Sequence, residues 1–362
     1  MPVSIGVLRE SAEGETRVAL TPPVVATLVR DGLSVTVEKG AGERAGFTDA
    51  EYKDAGATLA TRKATLTSQV VVAVGRPDAA ATKALKEGQA LLGLVEGLEV
   101  SGVHVLSLER LPRQISRAQT MDALSSQASI AGYRAAIVAA TAYGRYFPMM
   151  VTAAGTAKPA SVLVLGAGVA GLQAIATARR LGARVSGYDV RPAAREEVTS
   201  LGASFLATTV SAVGEGGYAR ELTQEESAQQ RAELSAAIAG FDIVITTAKV
   251  PGRKPPELVD SDTVAAMRRG SVIVDLAAGP LGGNVAGVGI DTWDLTTNGV
   301  MLIAAGDLPQ QMAPAASDAY ARNIAAVIAA IVSEGELAID PTDEVVGALL
   351  GAPAAAKEEV PA

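Results

Sequence analysis

The sequence contains no cysteine and one histidine, His104. The first absence excludes disulfides, thiol nucleophiles and metal or iron–sulfur centres built on thiolates. The second excludes a metal site made from several imidazoles. Aromatic residues are only 3% of the 362, so any core is assembled from Ala, Val, Leu and Ile. No basic block or aromatic ladder occurs, and with a net charge of −8 a nucleic-acid partner is not expected. At 49% hydrophobic and 19% charged the chain reads as folded, with length for two domains, each with its own core. The first strand-like run, residues 3–8, follows no basic or apolar leader, so no secretion signal is expected. Residues 160–178 are uncharged and long enough for a membrane span, but three loop glycines, Ser161 and Gln173 interrupt them. A soluble, cytoplasmic chain is the expectation.

What is present starts with Ser161-Val-Leu-Val-Leu, a buried-strand pattern, followed by Gly166-Ala167-Gly168-Val169-Ala170-Gly171 and an apolar helical run. In a dinucleotide fold the first glycine permits a tight turn and the second admits a pyrophosphate to the backbone. The third lets the helix pack closely on the strand. The helix N-terminus favours the phosphate charge. A second strand ends at Asp189, 18 residues past Gly171, where such folds place the acid that binds a ribose hydroxyl. Asp189 favours NAD(H), because a carboxylate repels a 2′-phosphate. Val190 and Arg191 follow it. Arg191 either accommodates a 2′-phosphate or forms a surface ion pair with Glu196 or Glu197.

Strand patterns at 3–8, 34–38, 69–74, 90–95 and 103–107 alternate with helical stretches and imply a parallel α/β domain. Thr21-Pro22-Pro23 starts a helix, with Thr as the cap. A long helical pattern over 121–147 reads as a connector. A second α/β unit follows, with strands at 161–165, 184–189, 204–206, 242–246, 271–275 and 300–304. The apolar helix 317–332 is expected to pack back on the first domain. The predicted architecture is α/β, two Rossmann-like parallel-sheet domains separated by a cleft and joined by long helices. The predicted domains are 1–130 with 312–345, 140–308, and a flexible tail from 346 to 362.

Four features carry candidate chemistry. Arg117-Ala-Gln119-Thr-Met-Asp122-Ala-Leu-Ser125-Ser-Gln127 is either an elaborate helix cap or a polar cluster facing a nicotinamide. Glycines around Tyr218 make a surface insertion or a lid. Thr246-Thr-Ala248-Lys249 and Asp275 end strands that line a cofactor crevice, with Lys249 and Asp275 either catalytic or a structural pair. His104 fits a core or strand-end position. Oxidising an alcohol or amine needs a proton acceptor, commonly His or Lys, whereas passing a hydride between two nicotinamide rings needs none.

These residues resemble the NAD(H)-binding α subunit of the proton-translocating NAD(P) transhydrogenases. The resemblance covers nearly the whole chain and rests on several motifs. They are Arg17-Val-Ala-Leu-Thr-Pro22, the Arg117–Gln127 run, Gly132-Tyr-Arg134, the glycine fingerprint, Tyr188-Asp-Val-Arg-Pro192, Gly217-Tyr-Ala219, Val250-Pro-Gly252 and Val272-Ile-Val-Asp-Leu-Ala277. It implies that Gln119, Asp122 and Ser125 lie close to the nicotinamide and its ribose, and that Tyr218 closes over the nucleotide. It also implies a homodimer and docking with an NADP(H)-binding domain on a β subunit. Membrane-embedded subunits would couple hydride transfer to proton movement, which would place the chain on the inner face of the cytoplasmic membrane. The family usually has Pro-Arg-Ile-Ser-Arg-Ala-Gln. Here Pro112-Arg113-Gln114-Ile115-Ser116-Arg117 is one residue longer, so Arg113 would reach the site through a shifted turn. The related alanine dehydrogenases share the Arg-Val-Ala-Leu-Thr-Pro start and offer the alternative, an amino-acid oxidoreductase. Their catalytic Lys and His fall here in Val72-Ala-Val-Gly-Arg-Pro77 and Leu94-Val-Glu-Gly97, where neither residue appears.

Overall fold

The computed structural model describes residues 2–209, 223–249 and 253–351. The chain divides into two compact units, Met1–Gln127 with Pro309–Ala362, and Ala128–Leu308. Helices that shape them include α1 (Pro22–Arg30), α2 (Ala123–Ala142), α3 (Val169–Arg180), α4 (Ala194–Ser200), α5 (Ala313–Ile331) and α6 (Val346–Leu350). The unit boundary falls inside α2.

The first unit holds a six-stranded sheet. Its strands are β1 (Ser4–Val7), β2 (Ser34–Glu38), β3 (Thr58–Ala60), β4 (Val70–Val72), β5 (Ala90–Gly93) and β6 (His104–Ser107). Their order is β3-β2-β1-β4-β5-β6, all parallel. Val70, Val71 and Val72 are wholly buried, as a central parallel strand covered on both faces requires. The edge strand β3 escapes sequence reading because it has only three residues, none of them buried. Helix α5 completes this core with Tyr320, Ile324, Val327 and Ile331, and the Tyr320 hydroxyl donates to the Ala73 carbonyl at 2.9 Å.

Two expectations for this unit need correction. Thr21 caps α1 by position, but its hydroxyl is buried with no partner among the described residues. Pro22 and Pro23 have no N–H, so one of the two amides a cap residue normally serves does not exist. Residues 346–350, assigned to the tail, instead form α6, because Val346 and Leu349 find apolar cover in the first unit's core. Residues 352–362 lie outside the described residues.

The second unit opens with a hairpin, β7 (Met150–Thr152) and β8 (Gly155–Ala157). Its main sheet comprises β9 (Ser161–Leu165), β10 (Arg184–Tyr188), β11 (Ser204–Phe205), β12 (Ile243–Thr246), β13 (Val272–Asp275), β14 (Trp293–Leu295) and β15 (Met301–Ala304). The order is β11-β10-β9-β12-β13-β15-β14. Among the described residues only β14 is antiparallel in this sheet, and it makes seven strands where six were expected. All three of its residues are exposed, so it carries no burial pattern to read. The strand order reverses between β9 and β12, and that switch point is where such sheets bind ligands.

Candidate functional site

The glycine loop joins β9 to α3 at the switch point, and its three glycines have separate physical reasons. Gly166 has φ +97°, and its N–H donates to the Tyr188 carbonyl at 2.8 Å. A side chain there would be strained, and its Cβ would sit 2.6 Å from the Thr247 hydroxyl. A Cβ on Gly171 would run into the Gly166 carbonyl oxygen, so the loop closes only on glycine. Gly168 is different. Its φ of −77° is ordinary, and a Cβ there would meet nothing within 4 Å among the described residues. The surface above Gly168 is open, beside helix N–H groups that have no partner within the helix. Ala167 is buried, Ala170 half-buried and Val169 exposed.

Asp189 follows β10 and turns its carboxylate into this loop. Oδ2 accepts the Ala167 N–H at 2.7 Å and Oδ1 accepts the Arg191 N–H at 2.8 Å. The Arg191 guanidinium adds contacts to both oxygens, at 3.0 Å to Oδ1 and 3.2 Å to Oδ2. Burial alone would raise the Asp189 pKa, but the Arg191 side chain and the two amides hold it below the usual carboxylate range. Arg191 therefore pairs most closely with Asp189, a partner not foreseen, and at longer range, 3.8 Å from its Nη2, with Glu197, one of the two carboxylates considered. Val190 is exposed.

On the other side of the switch point Thr246 is wholly buried, and its hydroxyl donates to Asp275 at 2.9 Å. Asp275 also accepts the N–H groups of Ala277, Asn284 and Val285, and none of its partners is Lys249. Lys249 and Asp275 thus form no pair. Asp275 instead fastens the loop after β13, and its pKa is raised because burial outweighs those donors. Asn284, which sequence reading missed, grips Ala248 at both ends. Its Oδ1 accepts the Ala248 N–H and its Nδ2 donates to the Ala248 carbonyl, each at 3.0 Å. Nothing about an Asn in a glycine-rich loop signals such a role beforehand.

In the first unit, Asp122 and Ser125 cap α2. Asp122 Oδ1 accepts the Ser125 N–H at 2.9 Å and Oδ2 accepts its hydroxyl at 2.6 Å. Arg113 Nε lies 3.6 Å from Asp122 Oδ2. Gln119 is exposed. Arg117 leaves the cluster and binds Asp343, at 2.7 Å to Oδ1 and 2.6 Å to Oδ2. Gln127 is buried and accepts from Arg17, which forms a 2.7 Å ion pair with Glu15. Glu10, also missed, is buried against the amides of Val74 and Gly75. Burial, partly offset by those amides, pushes its pKa up to about 7. His104 stands exposed at the start of β6, a strand-end histidine. Tyr218 and residues 250–252 lie outside the described residues. Among the described residues no helix is long and apolar enough to cross a membrane.

Comparison with known families matches the alanine dehydrogenase/PNT N-terminal domain over residues 6–131 and the C-terminal domain over 135–355. The chain belongs to the alanine dehydrogenase/PNT family. The NAD(P) transhydrogenase subunit alpha of Cereibacter sphaeroides is 44% identical over 89% of this chain, which spans 64% of that protein's length. The NAD(P) transhydrogenase subunit alpha of Haemophilus influenzae is 39% identical over 94% of this chain, which spans 69% of that protein's length. Among solved structures, a transhydrogenase from Sinorhizobium meliloti matches with a TM-score of 0.84 and 40% identity, covering 95% of this chain and 97% of that one. An L-alanine dehydrogenase matches with a TM-score of 0.74 and 27% identity, covering 90% and 89%. The two-domain α/β architecture with parallel sheets is thus the family's fold.

Proposed function

We propose that this chain is the NAD(H)-binding component of a transhydrogenase, an oxidoreductase that passes hydride between NADH and NADP+ held on a partner subunit. The observation that carries the proposal is the glycine loop, tight at Gly166 and Gly171 and open at Gly168. The open backbone at an α-helix N-terminus suits a pyrophosphate, and the ionised Asp189 beside it suits a ribose and repels a 2′-phosphate. The greater identity to transhydrogenase subunits than to alanine dehydrogenase supports the same reading.

Bound NADH would supply the hydride. The residues of this chain would bind and orient. Gly166–Gly171 would seat the pyrophosphate, with Ala167, Val169 and Ala170 giving the loop its backbone. Asp189, followed by Val190 and Arg191, would define the adenosine ribose site. Thr246 and Ala248 would form the opposite wall, held by Asp275 and Asn284. Gln119, Asp122, Ser125 and Arg113 are assigned to the nicotinamide end, as donors and acceptors that fix the ring and its ribose. Direct transfer requires the two reacting atoms at about 3–3.5 Å, so this chain's contribution is placement. Membrane-embedded partner subunits would couple that transfer to proton translocation. They would hold this chain at the inner face of the cytoplasmic membrane.

A homodimer is the second element of the proposal. The β7–β8 hairpin supports it, because a lone two-stranded hairpin is marginal in water, and Met149 and Val151 are 61% and 71% exposed. The deciding experiment mixes the chain with a transhydrogenase NADP(H)-binding domain and follows reduction of a chromogenic NAD analogue by NADPH. Exchange that needs both proteins is expected. Its absence, or robust turnover of L-alanine with NAD by this chain alone, would overturn the proposal.

A further inference from the structure

The Asp189 carboxylate is already saturated by its own chain. A carboxylate offers about four lone-pair sites, and four donors reach this one: the amides of Ala167 and Arg191, and Nε and Nη2 of Arg191. The two amides are parts of the fixed loop and strand end. The two guanidinium contacts come from a side chain that is 51% exposed, against 9% for Asp189. The same Nη2 donates to the Ala167 carbonyl at 3.1 Å, so Arg191 lies across the strand end and ties it to the glycine loop. A ribose diol needs the two acceptor positions that the guanidinium holds. A second carboxylate is within reach for a guanidinium that leaves: Glu197 on α4, 3.8 Å from Nη2 and 45% exposed.

We propose that Arg191 is a latch on the ribose position, closed on Asp189 and released toward Glu197 when a ribose takes its place. The inference rests on the reading that this unit binds NAD(H). It makes Arg191 a competitor of NADH, not a ligand for it. Arg191 is then a specificity residue as well. A nucleotide with a 2′-phosphate meets the Asp189 charge and offers one hydroxyl fewer to replace the guanidinium.

The test is equilibrium binding of NADH, NADPH and ADP-ribose to the full chain and two variants, followed by calorimetry. Arg191→Met keeps the aliphatic arm and removes the donors. It is expected to tighten NADH and ADP-ribose by about threefold, the scale of an exposed ion pair. Raising the salt should shrink that advantage, because screening loosens the latch of the parent chain alone. Glu197→Gln should weaken NADH, since the released guanidinium loses its second partner. Unchanged or weaker NADH binding by Arg191→Met, with an unaltered melting temperature, overturns the latch. Failure of the parent chain to bind NADH, or equal binding by Asp189→Asn, overturns the nucleotide reading itself, a separate and visible outcome.

Discussion

Two carboxylates, the half-buried Asp189 and the buried Glu10, show how partner choice decides charge. Each accepts two backbone N–H groups. Asp189 also holds a guanidinium and stays ionised, whereas Glu10 is more deeply buried, lies near Glu15 and titrates at about 7. A raised carboxylate makes the folded state bind more protons than the unfolded one. The contribution of Glu10 to stability is therefore full below its unfolded value of 4.5 and lost as pH rises through about 7. Urea midpoints between about pH 5 and 8 should fall less steeply for Glu10→Gln than for the parent chain; equal slopes would remove Glu10 as the cause. Asn284 offers a second check. Asn284→Ala strips partners from both ends of Ala248 and from the Pro256 carbonyl, and should cost at least about 1–3 kcal/mol in denaturant unfolding. None of these burials is written in composition, because Glu10 and Asn284 look locally like surface and loop residues.

The element proposed to seat the nucleotide is the start of α3, and helix α2 packs closely against it. A Cβ on Gly132 of α2 would collide with the Ala170 carbonyl, so the contact between these helices needs glycine there. Gly132→Ala should cost about 1–3 kcal/mol by overpacking and weaken NADH by shifting the α3 N-terminus. Gly168→Ala should also weaken NADH but spare stability. Its added methyl meets no atom of the described residues, so the melting temperature should hold while NADH binding falls; a drop in melting temperature would mean the position is structural. The fingerprint spacing announced all three loop glycines, and the local pattern placed β9 at Ser161–Leu165 as observed. It could not announce Gly132, whose neighbour is 38 positions away in sequence.

At the scale of the whole molecule, a nucleotide that binds only the folded chain stabilises it by mass action. NADH at 100 times its Kd should add about 2.7 kcal/mol, and NADPH at the same concentration should add less; equal shifts in melting temperature would contradict the role given to Asp189. The hairpin prediction also belongs here. Met149→Lys with Val151→Lys should shift the chain toward monomer in sedimentation, and an unaltered mass would place any dimer contact elsewhere. The sequence by itself determined the α/β alternation, the glycine fingerprint with its spaced acid, and the helix that returns near the end of the chain. Those are local patterns of period, spacing and turn chemistry. Only the tertiary structure decided that Arg191 closes on Asp189, that Asp275 and Asn284 are fasteners, and that Arg17 meets Gln127, 110 positions away. Such partners are chosen when folding removes water from charged and polar groups, and each group must then find whatever donor or acceptor the packed chain has brought beside it.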